Sequence, residues 1–175
     1  MKLNAVILQG VNDDEVLELT QFAIDKECDI SFIEEMPLGD IDSHKRINTQ
    51  IPSLSIRAQL EKHYRLSDYH DNDKAAGPSR YLAIADTDTK VGFISPMSNN
   101  FCASCNRVRV TTEGRLLLCL GNEHSLDLRQ IVRKHPDDLD ALKQAIVASM
   151  GRKPEKHYFD PNDITITRYM SATGG

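Results

Sequence analysis

The sequence lacks the features that place a protein in a membrane, outside the cell or on nucleic acid. Its longest apolar run covers residues 116–120, far short of the ~18 residues that a membrane span needs. The first ten residues carry one lysine and only a short apolar stretch, so they do not resemble a secretion signal. The 21 basic residues are outnumbered by 26 acidic ones, which leaves no cationic field that would attract nucleic acid or anionic lipid. We therefore expect a cytoplasmic protein that binds neither nucleic acid nor membranes.

The chain is also short and poor in cysteine. Its 175 residues are too few for a complete (β/α)₈ barrel, which takes roughly 250. Four cysteines are too few for a disulfide scaffold, and a reducing cytoplasm would keep them as thiols. With 40% hydrophobic and 27% charged residues and a mean hydropathy of −0.41, the composition is typical of a globular protein of one or two domains. Because the net charge is negative, any anion-binding site must be formed by a local group of basic residues. Because the cysteines are not expected in disulfides, their spacing can indicate a metal site.

The first third of the sequence predicts strands and helices in alternation. An apolar run over residues 3–8 predicts a buried parallel strand, and Asn12 or Asp13 then supplies a helix cap. Apolar side chains recur at helical spacing beyond this cap, and residues 30–33 form a second predicted strand. These elements make a right-handed βαβ unit, which a helix from Ser55 follows. Two parallel strands leave open edges, so the predicted sheet looks truncated.

The remainder of the sequence predicts an α+β domain. Residues 67–78 are polar and end in Gly-Pro, which is typical of a linker. Beyond it the sequence predicts, in order, a hairpin over residues 81–94, a hairpin over residues 107–120 with its turn near Glu113-Gly114, and helices over residues 126–134 and 139–150. The predicted domains are residues 1–66 and residues 67–175.

Three cysteines lie at or within the second hairpin, as the C-x-x-C pair Cys102 and Cys105 and, after thirteen intervening residues, Cys119. The pair puts two thiolates on one tight loop. The hairpin folds Cys119 back to a position opposite Arg107 or Val108, so the three thiolates are predicted to converge. Soft sulfur ligands at one point select zinc or an iron–sulfur cluster.

Spacing alone leaves both metals open. A structural zinc site needs a fourth ligand, and His124, five positions beyond Cys119, could complete a Cys₃His set. A three-cysteine iron–sulfur cluster would instead leave one iron without a protein ligand. The fourth cysteine, Cys28, lies in the other half of the sequence, where we expect it to be a small buried hydrophobe.

Two arginines follow the cysteine pair directly. Arg107 and Arg109 are two positions apart on a predicted strand, so both guanidinium groups are expected on one face. Beside an open metal, paired guanidinium groups suit a phosphate-bearing or planar nucleotide substrate. The alternative is a solvated basic strand face without a ligand.

Several motifs resemble one known family. They are FIEEMPL at residues 32–38, GPSRY at 77–81, GFISPM at 92–97 and FCASCNRVRVT at 101–111. With further matches along essentially the whole chain, they resemble the GTP 3′,8-cyclases of molybdenum cofactor (molybdopterin) biosynthesis. The resemblance implies an α/β fold in which the last strand–helix units of a truncated, partial (β/α) TIM-like barrel precede an α+β C-terminal domain that carries a three-cysteine iron–sulfur site.

The resemblance also implies a radical S-adenosylmethionine lyase. Its reaction converts GTP to (8S)-3′,8-cyclo-7,8-dihydroguanosine 5′-triphosphate. The implied cofactors are a [4Fe–4S] cluster on Cys102, Cys105 and Cys119, and S-adenosylmethionine with a second [4Fe–4S] cluster in the full-length enzyme. In the family, the open iron of the cysteine-triplet cluster binds the guanine base, while the protein fixes sugar and base in attacking geometry.

Further residue roles follow from matching positions in the family. Those that match GTP-binding positions are Lys2, Arg107, Val108 and Arg109. Met36 matches a position that contacts S-adenosylmethionine, and the C-terminal Gly174 and Gly175 match a tail that enters the active site. Gly174 and Gly175 are grouped with Arg107 and Arg109 as catalytic candidates.

One family motif is missing from these residues. Family members carry C-x-x-x-C-x-x-C near their N-terminus for the first cluster, and the four cysteines here do not form it. We therefore expect the chain to be the C-terminal portion of a longer enzyme and to be inactive alone. We also expect a homodimer, and we expect cyclic pyranopterin synthase to take the product. The alternatives are a zinc-stabilised Cys₃His binding module without redox chemistry, and a degenerate, non-catalytic relative.

Overall fold

The structure, a computed structural model, describes residues 1–39, 46–69, 77–122, 124–157 and 159. The chain divides into two compact units, one of residues 1–36 and 43–101 and the other of residues 37–42 and 102–175. Within the described ranges, no helix is both long and apolar enough to cross a membrane.

The first unit is built on one mixed sheet of five strands in the order β1-β2-β5-β4-β3. The strands are β1 (Lys2–Ile7), β2 (Asp29–Glu34), β3 (Leu66–Asp68), β4 (Arg80–Ile84) and β5 (Lys90–Ile94). β1, β2 and β5 run parallel, whereas β4 and β3 continue the sheet antiparallel. The predicted parallel pair and first hairpin are confirmed. The expectation that β2 would have an open edge was wrong, because β5 pairs with β2.

The helices of this unit are α1 (Val16–Asp25), α2 (Arg46–Thr49) and α3 (Ser53–Leu60). α1 and α3 pack against β2 and bury their apolar sides on the sheet. The core holds residues from both layers, including Val16, Ile56, Phe32 and Val91, each with no exposed surface. Burial of such side chains, worth about 1.5–3 kcal/mol each, is the main stabilisation of the unit.

Two local predictions about this unit differ from the structure. Asn12 stands at the N-cap position of the 3₁₀ turn Asp13–Glu15, but its side chain makes no capping hydrogen bond. It accepts from the Leu8 N–H at 2.7 Å and donates to the Val6 carbonyl at 3.0 Å, which closes the turn after β1. The α3 helix begins at Ser53, just after Pro52, rather than at Ser55.

The predicted linker over residues 67–78 also begins too early. Leu66–Asp68 form β3, which pairs with β4. The boundary between the compact units lies between residues 101 and 102 and does not coincide with the domain boundary placed at residue 66, which stays a prediction. The described sheet has a mixed α/β architecture, and its interpretation as the end of a truncated barrel likewise stays a prediction.

The second unit contains a three-stranded antiparallel sheet and two helices. The strands, in the order β6-β7-β8, are β6 (Arg109–Val110), β7 (Arg115–Leu117) and β8 (Ser125–Asp127). They are followed by α4 (Leu128–Lys134) and α5 (Leu139–Met150), which pack on each other. Asp127 caps α4 and Asp138 caps α5, and each side chain accepts a backbone N–H from the first turn of its helix at 2.9 Å. Both helices therefore begin with a side-chain N-cap.

Candidate metal centre

The second hairpin brings the cysteine segments together as predicted. Cys102 opens a short 3₁₀ turn, and the Cys105 N–H donates to the Cys102 carbonyl at 3.0 Å, which fixes the C-x-x-C loop. β6 and β7 pair Arg109 with Leu117, and the same register continued by two residues places Cys119 opposite Arg107. The ladder itself is shorter than expected, because only Arg109 and Val110 of residues 107–110 form the strand.

The three thiols are half-buried, form no disulfide and lie close enough to influence one another electrostatically. Burial raises the pKa of the Cys102 thiol, and the nearby charges of Cys119 and Cys105 raise it further. A backbone N–H of His157 and the ammonium of Lys153 act in the opposite direction. Mutual repulsion among thiolates of this kind is what a bound cationic group would relieve.

Backbone N–H groups point at two of the sulfurs. The Gly121 N–H donates to Cys119 Sγ at 3.2 Å, and the His157 N–H donates to the sulfur of Cys102. Hydrogen bonds to cysteine sulfurs stabilise the thiolate and tune the potential of an iron–sulfur cluster. Two of the three cysteine sulfurs therefore already accept a backbone hydrogen bond.

The arginines adjoin the same thiols but occupy different environments. Arg109 is half-buried on β6, and burial lowers its pKa, as does the neighbouring charge of Arg107, while Cys105 and Cys119 raise it. Arg107 is exposed and precedes the strand, so the prediction that both arginines lie on one strand was wrong. Val108, between them, is 40% exposed.

A single zinc ion and an iron–sulfur cluster place different demands on the three cysteines. Sulfur ligands of one zinc ion lie about 2.3 Å from it and hence about 3.8 Å from each other. Among the described residues, no three histidine, cysteine or carboxylate side chains could hold one ion in this way. His124 is exposed, and its backbone N–H donates to Asn122 Oδ1 at 3.0 Å. The Cys₃His zinc site stays the alternative prediction.

A cluster places different demands on the same donors. The three thiolates of a cubane bind three different irons and stand further apart than ligands of a single ion. Half-buried thiols with N–H donors and cationic neighbours are compatible with such a group. Cys28, by contrast, is 2% exposed in the core of the first unit, which confirms its prediction as a buried hydrophobe.

Sequence reasoning missed two residues that shape the centre. Lys153, in a basic stretch without an assigned role, donates to the backbone carbonyls of Arg107 and Leu118. Gly121 leaves the room that the segment around His157 fills, because a Cβ there would lie 2.6 Å from the His157 Cβ. A lysine three residues after a helix and a glycine two residues after a cysteine are common in proteins. Neither position therefore indicates a role at the site from the sequence alone.

The remaining predicted site residues lie elsewhere in the chain. Lys2, at the start of β1, is exposed, with its ammonium 5.2 Å from the centre of the Tyr81 ring. Met36 follows β2 and is half-buried. Lys2 pairs with Asp29 at the start of β2, whereas Met36 follows the end of that strand, roughly 20 Å away along the sheet. Their roles stay predictions. Gly174 and Gly175 lie outside the described residues.

The family of the chain follows from its comparison with known proteins. Residues 28–159 match the family model described as Molybdenum Cofactor Synthesis C. This match covers well over half of the 175 residues, so the chain belongs to that family. The resemblance found in the sequence motifs is thereby confirmed.

Curated relatives extend the comparison to the whole chain. Proteins named GTP 3′,8-cyclase from Marinobacter nauticus and Pseudomonas putida are 51% identical over 176 residues and 52% identical over 177 residues. A protein named GTP 3′,8-cyclase 2 from Pseudomonas aeruginosa is 51% identical over 176 residues. Each alignment includes all of this chain but only 52% or 53% of the relative. The chain thus spans about half the length of the curated relatives it matches, and the match lies in their C-terminal part.

Proposed function

We propose that this chain supplies the cysteine-triplet cluster and the guanine-nucleotide site of a GTP 3′,8-cyclase. The observation that carries the proposal is the convergence of Cys102, Cys105 and Cys119 beside Arg107 and Arg109, in a chain of the Molybdenum Cofactor Synthesis C family. Relatives that match the whole chain bear the name of this activity. The family and these names support a role in molybdenum-cofactor synthesis.

The chain's own residues would act by binding and orientation. Cys102, Cys105 and Cys119 would hold a [4Fe–4S] cluster, and such a group supplies an open iron that can bind a base nitrogen or oxygen. Arg107 is exposed and free to reach an anionic or planar ligand, while the burial of Arg109 fixes its guanidinium group near the thiols. A nucleotide held by both groups would be oriented for ring closure, which lowers the entropic cost of the reaction.

Several further roles belong to the proposed whole enzyme. Lys2 and Val108 are proposed to contact GTP, Met36 to contact S-adenosylmethionine, and Gly174 with Gly175 to reach the reacting nucleotide. The reaction would also need a second [4Fe–4S] cluster for radical generation from S-adenosylmethionine. A cytoplasmic location, transfer of the product to cyclic pyranopterin synthase and formation of a homodimer stay predictions.

Anaerobic reconstitution with iron and sulfide tests the proposal. We expect the purified chain to take up both and to develop the broad visible absorbance of an iron–sulfur cluster. Cys102→Ser, Cys105→Ser and Cys119→Ser should each lose most of that absorbance, whereas Cys28→Ser serves as the matched control and should retain it. Stoichiometric zinc with no iron–sulfide uptake would instead favour the zinc-stabilised module and overturn the proposal.

A further inference from the structure

The hairpin that carries the cysteines opens where its ladder ends. The last pair joins Arg109 to Leu117, and the residues beyond, which include Arg107 and Leu118, are not part of the β6-β7 ladder. Backbone carbonyls freed in this way need other donors if they lie away from water. Cys105 precedes β6 and Cys119 follows β7, so both lie at this open end of the hairpin. The width of the opening therefore sets the distance between the chain segments that carry Cys105 and Cys119.

Lys153 supplies the missing donors at this opening. Its Nζ donates to the Arg107 carbonyl at 2.7 Å and to the Leu118 carbonyl at 2.6 Å. One ammonium therefore joins the segment that follows Cys105 to the segment that precedes Cys119. An ammonium has three donors and strong hydration, so a half-buried lysine that bonds two carbonyls is held in place rather than moving freely in solvent.

The end of α5 holds Lys153 at this position. The Lys153 N–H donates to the Met150 carbonyl at 3.0 Å, in the turn that closes the helix. Four residues later, His157 packs against Gly121 and its ring lies 4.6 Å from that of Phe159, centre to centre. The segment from Lys153 to His157 is thus held at Lys153 by the end of α5 and at His157 by its packing on Gly121. The Lys153 ammonium also lies close enough to Cys102 to lower the pKa of its thiol.

We propose that Lys153 is a positioning residue for the cysteine triplet, setting the spacing of the Cys105 and Cys119 segments through the two carbonyls and placing a positive charge beside Cys102. The identity of the group held by the triplet rests on the proposed function, but the clamp itself does not. Lys153 need not touch the nucleotide. Removal of the ammonium should let the hairpin opening widen and should weaken retention of the bound group.

Three variants of the whole chain separate the clamp from a general effect of charge. Lys153→Met keeps the aliphatic stem but removes the donors and the charge, and Lys153→Arg keeps both. Lys156→Met, at an exposed lysine of the same segment, makes the same change in net charge away from the carbonyls. If Lys153→Met does not fold, Lys153→Gln takes its place, because it retains only a neutral donor.

The first readout is loss of iron from the anaerobically reconstituted chain to an excess of chelator. We expect Lys153→Met to release iron about tenfold faster than the unaltered chain, as residues that orient metal ligands commonly do, with Lys153→Arg close to the unaltered rate and Lys156→Met unchanged. The EPR line shape of the reduced cluster should also change in Lys153→Met, and loss of stability alone would not cause that. Equal release rates and line shapes in Lys153→Met and Lys156→Met would overturn the proposal.

The second readout needs no cluster. Alkylation of Cys102 and Cys119 by iodoacetamide in the native, iron-free chain, followed by peptide mass spectrometry, should be faster in Lys153→Met than in Lys156→Met, since the opening is less constrained. If the unaltered chain takes up no iron and sulfide, the proposed function fails, and this readout alone decides whether Lys153 positions the segments. Equal alkylation rates in the two variants would then overturn the clamp.

Discussion

At the scale of single residues, Glu34 illustrates what the sequence could not indicate. This carboxylate at the end of β2 is 2% exposed, and it accepts the N–H groups of Ser53 at 2.8 Å, Met97 at 3.0 Å and Ser98 at 2.9 Å, together with the Ser98 hydroxyl. It thereby ties the start of α3 to the loop after β5. The motif that contains Glu34 pointed to a family, but only the folded chain supplies the four donors.

The pH dependence of stability should report this carboxylate. Burial raises the pKa of Glu34, but the four hydrogen bonds more than offset it and hold the pKa below its ordinary value. The stabilisation is therefore present above the pKa of the unfolded carboxyl and is lost as pH falls through the lowered folded value. Glu34→Gln should lower the free energy of unfolding by about 2–4 kcal/mol at neutral pH and flatten its acid limb.

Urea unfolding from pH 3 to 7 measures this effect. Glu61→Gln is the matched control, because Glu61 lies in an exposed i,i+4 ion pair with Arg57 that is worth about 0.5 kcal/mol or less. An acid limb that is the same in Glu34→Gln and in the unaltered chain would show that Glu34 does not act in this way.

Part of the candidate site could be predicted from the sequence, because the types and spacing of its residues indicate it. The C-x-x-C pair, Cys119 and the two arginines could be found because hairpin pairing is local, with a turn that the sequence marks at Gly114. Lys153 could not, since its partners are backbone carbonyls 46 and 35 residues away. Such contacts leave no pattern in the side chains of the partners.

At the scale of elements, long strands and helices could be predicted and their distant pairing could not. The apolar run of β1 and the helical spacing of α1 are local signals. The pairing of β2 with β5 joins Ile30 to Val91 across the first unit, so nothing near either strand indicates it. β3 was missed because its three residues, Leu-Ser-Asp, are largely polar and exposed.

Gly92 on β5 is closely surrounded by side chains, and this packing gives a prediction about the sheet. A Cβ there would lie 2.1 Å from the Ser79 hydroxyl oxygen and 2.6 Å from that of Ser31, and these two hydroxyls are hydrogen-bonded to each other at 2.7 Å. Gly92→Ala should therefore separate them and lower the free energy of unfolding by about 1–3 kcal/mol.

Gly151→Ala is the matched control for Gly92→Ala. A Cβ at Gly151, the C-cap of α5, meets its nearest atom at 3.7 Å, and the backbone φ there is −63°. Alanine fits that conformation, so this variant should change the free energy of unfolding by less than about 1 kcal/mol. Thermal or urea unfolding compares the two, and a loss of stability no greater in Gly92→Ala than in Gly151→Ala would contradict the packing described for β5.

At the scale of the whole molecule, cluster and nucleotide binding by this chain are expected without turnover. None of the four cysteines of this chain forms the C-x-x-x-C-x-x-C motif on which radical generation depends in the family that it resembles. With GTP, S-adenosylmethionine and a reductant, the reconstituted chain alone should yield no cyclised nucleotide by liquid chromatography and mass spectrometry. Cyclised product from the chain alone would refute the prediction that this chain binds the cluster and the nucleotide without catalysing the reaction.

The EPR spectrum of the reduced, anaerobically reconstituted chain, recorded with and without GTP, tests cluster and nucleotide binding together. We expect the signal of a reduced [4Fe–4S] cluster that is absent in Cys119→Ser and that shifts when GTP is added, because the nucleotide is proposed to bind next to the open iron. A cluster signal that saturating GTP leaves unchanged, or iron-free protein with bound zinc, would contradict it.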